Sequence, residues 1–141
     1  MKNLKLEHLE IFISIFGNLI PGMIFVHKGG NFLYVNPSYE EALGYSREEL
    51  LNIPFWEIVH PEHREMVKEY AFKRLKGEKV PERYEIKLLD KGGVEKWFDI
   101  NVKLVKLEDE PIIVATALDV TEKKKNRKRK RKSNFSAEIP P

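Results

Sequence analysis

The chain has no cysteine among its 141 residues. That excludes disulfides, thiolate metal centres and a cysteine nucleophile. Long apolar runs are missing as well. The longest uncharged stretch, Ile11 to Val26, covers 16 residues, short of the roughly 20 needed to cross a bilayer. Gly17, Asn18, Pro21 and Gly22 interrupt it, and Glu7 and Glu10 occupy the place of a basic signal-peptide region. A cytoplasmic chain with no transmembrane segment is expected. No nucleophile elbow, phosphate loop or paired metal-ligand spacing is present, so no catalytic or metal residues are assigned. His60 and His63 lie three apart, but Pro61 between them marks a helix start that they straddle. His8 and His27 are expected at the surface.

What is there is a well-stocked core and a lopsided charge. Hydrophobic residues make up 42% of the chain, enough for one domain. Residues 123–132, KKKNRKRKRK, hold nine of the 25 basic residues. Residues 1–122 carry 16 Lys and Arg against 21 Asp and Glu, a net of −5. A mildly acidic body thus precedes a strongly basic tail. Such a tail can attract nucleic acid or an anionic membrane, but mutual repulsion argues for a solvated, disordered segment over 123–141 and against a nucleic-acid partner.

Periodicity divides the rest. Residues 3–19 read as an amphipathic helix, with Leu9, Phe12, Ile13 and Phe16 on one face and Ile11 and Ile15 on another. Two greasy faces suggest two partners, the domain's own sheet and a second copy of the chain. Pro21-Gly22 ends the helix. Strands follow over Met23–Lys28 and Phe32–Val35, joined at Gly29-Gly30. In NPSYEEALGYSREELL (36–51), Asn36 reads as an N-cap before Pro37, Gly44 as a left-handed stop, and Ser46 with Glu49 as a capping box. A turn over 55–59 and a helix from Pro61 to Lys76 precede three strands. Phe98, Ile100, Val102 and Leu104 alternate with polar residues, and Ile112–Leu118 is apolar throughout.

The segments VNPSYEEALGYSREEL (35–50), VHPEHR (59–64), Lys91-Gly92-Gly93 with Trp97, and DVTE (119–122) stand in the order and spacing of a PAS domain, which residues 22–122 resemble. The resemblance implies an α+β fold. Five antiparallel strands, numbered along the chain, take the order 2-1-5-4-3, with short helices on one face and the N-terminal helix on the other, packed on Trp97. The domain is then residues 21–122, between a helical cap (1–20) and the tail.

The resemblance also implies a sensory or regulatory module that is no enzyme itself, from a longer parent of the histidine-kinase, two-component type with its own output domain. A small apolar ligand would sit among Ile24, Val26, Tyr34, Phe55, Trp56, Tyr84, Ile86, Leu88, Phe98, Ile100, Val102, Ile113, Ala115 and Ala117. Leu9, Phe12, Ile13 and Phe16 would form a homodimer interface. Asp119 and Thr121 would relay the signal, Thr121 by capping an output helix. No cofactor is expected. Light-sensing relatives need a cysteine near Phe55, and the flavin-holding positions read Leu88, Phe98 and Ala117, which offer no side-chain hydrogen bond. Residues 65–76 lack the histidine of haem-binding relatives. The alternative is a docking module with a filled core and no ligand.

Overall fold

In the computed structural model, which describes residues 3–138, five antiparallel strands form the sheet. They are β2 (Met23–Lys28), β3 (Asn31–Val35), β4 (Arg83–Leu89), β5 (Glu95–Leu107) and β6 (Glu110–Asp119). Across the sheet they run β3-β2-β6-β5-β4. Counted along the chain, that is the expected order 2-1-5-4-3. A two-residue strand, β1 (Asn3–Leu4), pairs in parallel with Lys106 and Leu107 at the far end of β5. The length of β5 makes this possible. One edge pairs with β6 over Phe98–Leu107, while the other meets β4 over Glu95–Asn101 and β1 beyond it.

Short helices cover one face of the sheet. These are α2 (Ser38–Leu43), α3 (Arg47–Leu51), a 3-10 turn over Phe55–Ile58 and the longer α4 (Pro61–Leu75). Gly44 ends α2 at φ 78°, where a side chain would be strained. Ser46 and Glu49 then form the capping box of α3, each side chain bonded to the other's backbone N–H at 3.2 and 3.0 Å. Met23, Phe25, Phe98, Ile100, Val102, Ile113, Ala115 and Ala117 pack beneath these helices with Leu43, Leu50, Ile58 and Val67 in one core. A smaller cluster on the opposite face joins Ile13 to Val26, Leu107 and Ile112.

Four expectations change. The helix predicted over 3–19 is α1, Leu6–Phe16, because Asn3 and Leu4 pair with β5 instead. Asn36 does not cap α2. Its side chain is fully buried, with Oδ1 accepting from the Ile24 N–H at 2.8 Å and Nδ2 donating to the carbonyls of Gly17 at 2.8 Å and Gly22 at 3.2 Å. Three backbone groups at the α1–β2 junction have the stronger claim on it, since they would otherwise lie buried and unpaired. In β2, Met23 and Phe25 face the helices, and Ile24 and Val26 face away from them. Both faces of β2 are covered, so its apolar run carries no alternation from which to read the phase.

The tail, finally, is helical. α5 runs from Thr121 to Glu138, and residues 139–141 lie outside the described residues. Its first turns are held to the sheet. Lys124 Nζ reaches Glu85 at 3.1 Å, Arg127 reaches the same carboxylate at 3.3 Å, and Glu122 pairs with Lys125 within the helix at 3.7 Å. These partners offset the like-charge repulsion that argued for disorder.

Candidate functional site

Between α4 and the sheet lies a cavity of about 30 Å³. That is room for one or two water molecules. Eight of the predicted cavity residues line it: Phe55, Tyr84, Ile86, Leu88, Ile100, Val102, Ile113 and Ala115. Phe98 and Ala117 belong to the same core but lie beyond the cavity. Ile24, Val26 and Tyr34 do not line it, because β2 and β3 carry the opposite phase; Val26 and Tyr34 join the cluster under α1. Trp56 also lies elsewhere. Its ring rests on Gly30, where an added Cβ would collide with it, and faces Phe72 and Lys68.

Of the cavity's three polar side chains, sequence reasoning found Tyr84 and missed the other two. His27, expected at the surface, is 3% exposed and stacks on Phe55 with ring centroids 4.2 Å apart. Burial, helped by the Arg74 charge, pushes its pKa down to about 4, so the imidazole is neutral. Its Nδ1 has no hydrogen-bond partner. His27 follows Met23 and Phe25 at period two on the helix-facing side of β2, opposite Ile113. Arg74, on the last turn of α4, is 7% exposed and donates to the Pro81 carbonyl. No pattern of neighbouring residues marks either position as buried.

The second feature is the foot of α5. The Val120 N–H donates to the Trp97 carbonyl at 2.8 Å, and the Trp97 N–H donates to Thr121 Oγ1 at 2.9 Å. Asp119 Oδ1 accepts from the Thr121 N–H at 2.9 Å. Asp119 thus accepts from a backbone amide at the strand exit, while the Thr121 hydroxyl, expected to cap the helix, ties its start to β5 instead. Trp97 does not receive α1. Lys124 Nζ sits 3.7 Å from its ring centroid, and His63 lies at its edge, 5.7 Å between centroids. α1 packs instead at the other end of the same outer face, on the cluster that holds Ile13.

Of the four predicted interface residues, Ile13 is buried against the chain's own sheet and Leu9 packs beside it. Both are therefore already covered. Phe12 and Phe16 are exposed, together with Ile11, Ile15 and Leu19. His60 Nδ1 accepts from the Glu62 N–H, and His63 Nδ1 accepts from the Lys87 N–H, both at 3.0 Å. Burial lowers the His63 pKa, as suits an accepting ring. No group of three or more metal-ligating side chains stands together among the described residues, and no described helix is long and apolar enough to cross a membrane.

A buried pocket under short helices and a helix leaving the last strand define a regulatory, sensor-type α+β module. The model of the PAS domain family matches residues 21–122, and the chain belongs to that family. It is 24% identical over 113 residues to the sensor histidine kinase TmoS of Ectopseudomonas mendocina, covering 79% of this chain and 12% of that protein. It is 28% identical over 117 residues to the methyl sulfide methyltransferase-associated sensor of Methanosarcina acetivorans, covering 81% of this chain and 11% of that one. The chain therefore spans little more than a tenth of these curated relatives. Among solved structures, the PAS domain of an HTR-like protein from Haloarcula marismortui matches with TM-score 0.61 at 25% identity, covering 81% of this chain and 99% of that one. A PAS domain from Desulfitobacterium hafniense matches with TM-score 0.65 at 24% identity, covering 74% and 98%, a likeness of fold alone.

Proposed function

We propose that this PAS domain is the input module of a sensor protein of the two-component, histidine-kinase type. In this reading a small molecule entering the cavity moves β4 and β5, and α5 carries the movement to an output domain. The domain itself performs no catalysis and uses no flavin or haem. A second copy covers the exposed face of α1.

The supporting observation is that the same two strands serve both places. β5 gives Ile100 and Val102 to the cavity wall and Trp97 to the foot of α5. β4 gives Tyr84 and Ile86 to the cavity and, from the residue between them, the Glu85 that pairs with Lys124 and Arg127. A strand is stiff along its length, so a shift of its inner side chains also moves the outer ones.

The cysteine-free chain allows a clean test. Spin labels on cysteines introduced at Asn101 and Lys130 report the angle of α5 through their distance distribution. Ala115→Leu, which fills the cavity, should shift that distribution, and Thr121→Val should abolish the shift. An α5 that stays in place when the cavity is filled would refute the relay.

The cavity's small volume favours one rival, a docking module whose core needs no ligand. Native mass spectrometry separates the two. A small molecule carried through purification supports sensing, and a clean apo mass with intact self-association supports docking.

A further inference from the structure

Beside the Tyr84 hydroxyl, two polar side chains share the cavity wall, Arg74 with no counter-charge among the described residues and His27 with an unpaired ring nitrogen. Arg74 is 7% exposed, and its partners, the Pro81 carbonyl and the Tyr84 hydroxyl, are both neutral. Among the described residues no carboxylate forms an ion pair with it. Glu82, which feels its charge, is exposed and paired with Lys103. A buried cation without a counter-charge is strongly unfavourable. His27 is 3% exposed, and its Nδ1 is unpartnered. Apart from the Tyr84 hydroxyl beside Arg74, the rest of the wall is apolar: Val67, Ala71, Ile100 and Ala115 face the same space.

An apolar chamber with one cation and one unpaired imidazole nitrogen at its edge suits a molecule with a charged head and a short alkyl end. Resting on the reading that the cavity receives the input, we infer that it takes a monocarboxylate of two or three carbons. The carboxylate lies against the Arg74 guanidinium and the His27 Nδ1–H, and the alkyl end lies among Val67, Ala71, Ile100 and Ala115. The planar fork of the guanidinium matches a carboxylate. The neutral imidazole, in its Nδ1–H tautomer, supplies one more donor.

Size sets the chain length. A cavity of about 30 Å³ has the room of one or two waters, so even a short acid enters only by displacing them and pushing the Arg74 side chain toward the cleft, and a longer acid would force the packed core apart. Phosphate and sulfate fit poorly, since a second charge and further oxygens would face bare hydrocarbon.

Arg74 also marks the way in. Its side chain and Val102 line a second, open cleft as well, with Glu78, Lys79, Val80 and Glu82 along its rim. The Arg74 side chain thus stands between cleft and cavity, latched to the Pro81 carbonyl. An anion that passes the rim, where Lys79 and Lys103 also stand, meets the guanidinium at the cavity's mouth.

The test is a pair of amide NMR titrations on the whole chain at constant ionic strength, one with propionate and one with its neutral isostere propionamide. Propionate should shift the amides of Phe25, Ile100 and Ala115 saturably, with propionamide at least tenfold weaker. Arg74→Gln should weaken propionate at least tenfold. Should that variant fail to fold, His27→Phe, which keeps the ring stack on Phe55, should weaken it several-fold. Ala115→Leu should abolish the shifts.

Equal binding of acid and amide would overturn the carboxylate assignment while leaving the cavity as the input site. Propionate shifts that survive Ala115→Leu would overturn it too, because they would arise at the surface. If neither compound shifts the cavity amides, the assignment fails. If Ala115→Leu then also leaves α5 unmoved, the cavity reading fails with it.

Discussion

The two faces of the sheet are built on different physics. Under the short helices the core is continuous, and it encloses two polar side chains, His27 and Arg74. On the outer face α1 and α5 sit at opposite ends. α1 is held by the small cluster of Ile13 with Val26, Leu107 and Ile112. α5 is held by three hydrogen bonds at its foot, two ion pairs to Glu85 and a lysine over Trp97. Burial is strong and weakly directional, whereas hydrogen bonds are weaker and fix an angle. The inner face therefore governs whether the domain folds, and the outer face governs how its two helices are aimed.

Asn36 belongs to both regimes, and its loss should have the largest effect. Asn36→Ala strands the Ile24 N–H and the Gly17 and Gly22 carbonyls at once. At about 1–3 kcal/mol for a buried unsatisfied group, partly relieved at Gly22, we expect a loss of about 4 kcal/mol in urea unfolding. A loss under about 1 kcal/mol would mean that water replaces the amide, and that α1 is anchored by apolar burial alone.

The inner face should also respond to acid through His27. Its folded pKa of about 4 lies below the ordinary 6.5, because burial and the Arg74 charge oppose protonation. Above pH 6.5 both folded and unfolded states are neutral, and stability is full. As pH falls from 6.5 toward 4 the unfolded chain takes up the proton first, so stability drops; below 4 no more is lost from this group. A shift from 6.5 to about 4 corresponds to about 3 kcal/mol. His27→Phe should flatten most of that slope in urea melts at several pH values. His63 shifts the same way and leaves a residue of it. Glu49, Glu62, Glu82 and Glu85, whose pKa values are lowered below 4.5, lose their contribution only in stronger acid. An unchanged slope in His27→Phe would show that the imidazole is solvated.

How much of this could be read from the chain follows the same division. The long strands β5 and β6 were legible because period-two alternation and a continuous apolar run are direct records of burial. The capping box and the Gly44 stop were legible because their bonds close within a few residues. His27 was not, since its place on the inner face follows the phase of β2, which a strand buried on both faces does not reveal. Asn36 was misread because a local rule named the nearest amides, while distant backbone had the stronger demand. Thr121 was assigned to the right junction with the wrong partner, as its acceptor role is fixed by Trp97, 24 residues away. Charge repulsion was weighed within the tail alone, without Glu85, which lies 39 residues from Lys124.

Two outer-face substitutions should separate burial from aim. Ile13→Ala removes most of a fully covered side chain in a small cluster and should lower stability by about 2 kcal/mol. Thr121→Val removes a hydroxyl that accepts from the Trp97 N–H and should lower global stability by only about 1 kcal/mol. Amide exchange over 121–130 should nevertheless quicken in Thr121→Val and stay unchanged in Ile13→Ala. The reverse pattern would mean that α1 and α5 are coupled through the sheet rather than attached independently.

The smallest effect on stability should come where the effect on assembly is largest. Ile11, Phe12 and Ile15 are 56%, 53% and 55% exposed on α1, so they add little to the fold of one chain. Phe12→Glu should change the unfolding free energy by no more than about 0.5 kcal/mol. A glutamate there would place a charge in any apolar contact between two α1 helices. If a second copy covers this face, light scattering should find the wild-type chain dimeric and Phe12→Glu monomeric. A wild-type chain that is monomeric at high concentration would leave the stripe for a different partner and sever dimerisation from the role proposed for α1. A Phe12→Glu chain that stays dimeric while Lys124→Glu dissociates would move the interface to α5, making the helix held by polar contacts, rather than the apolar one, the point where two copies meet.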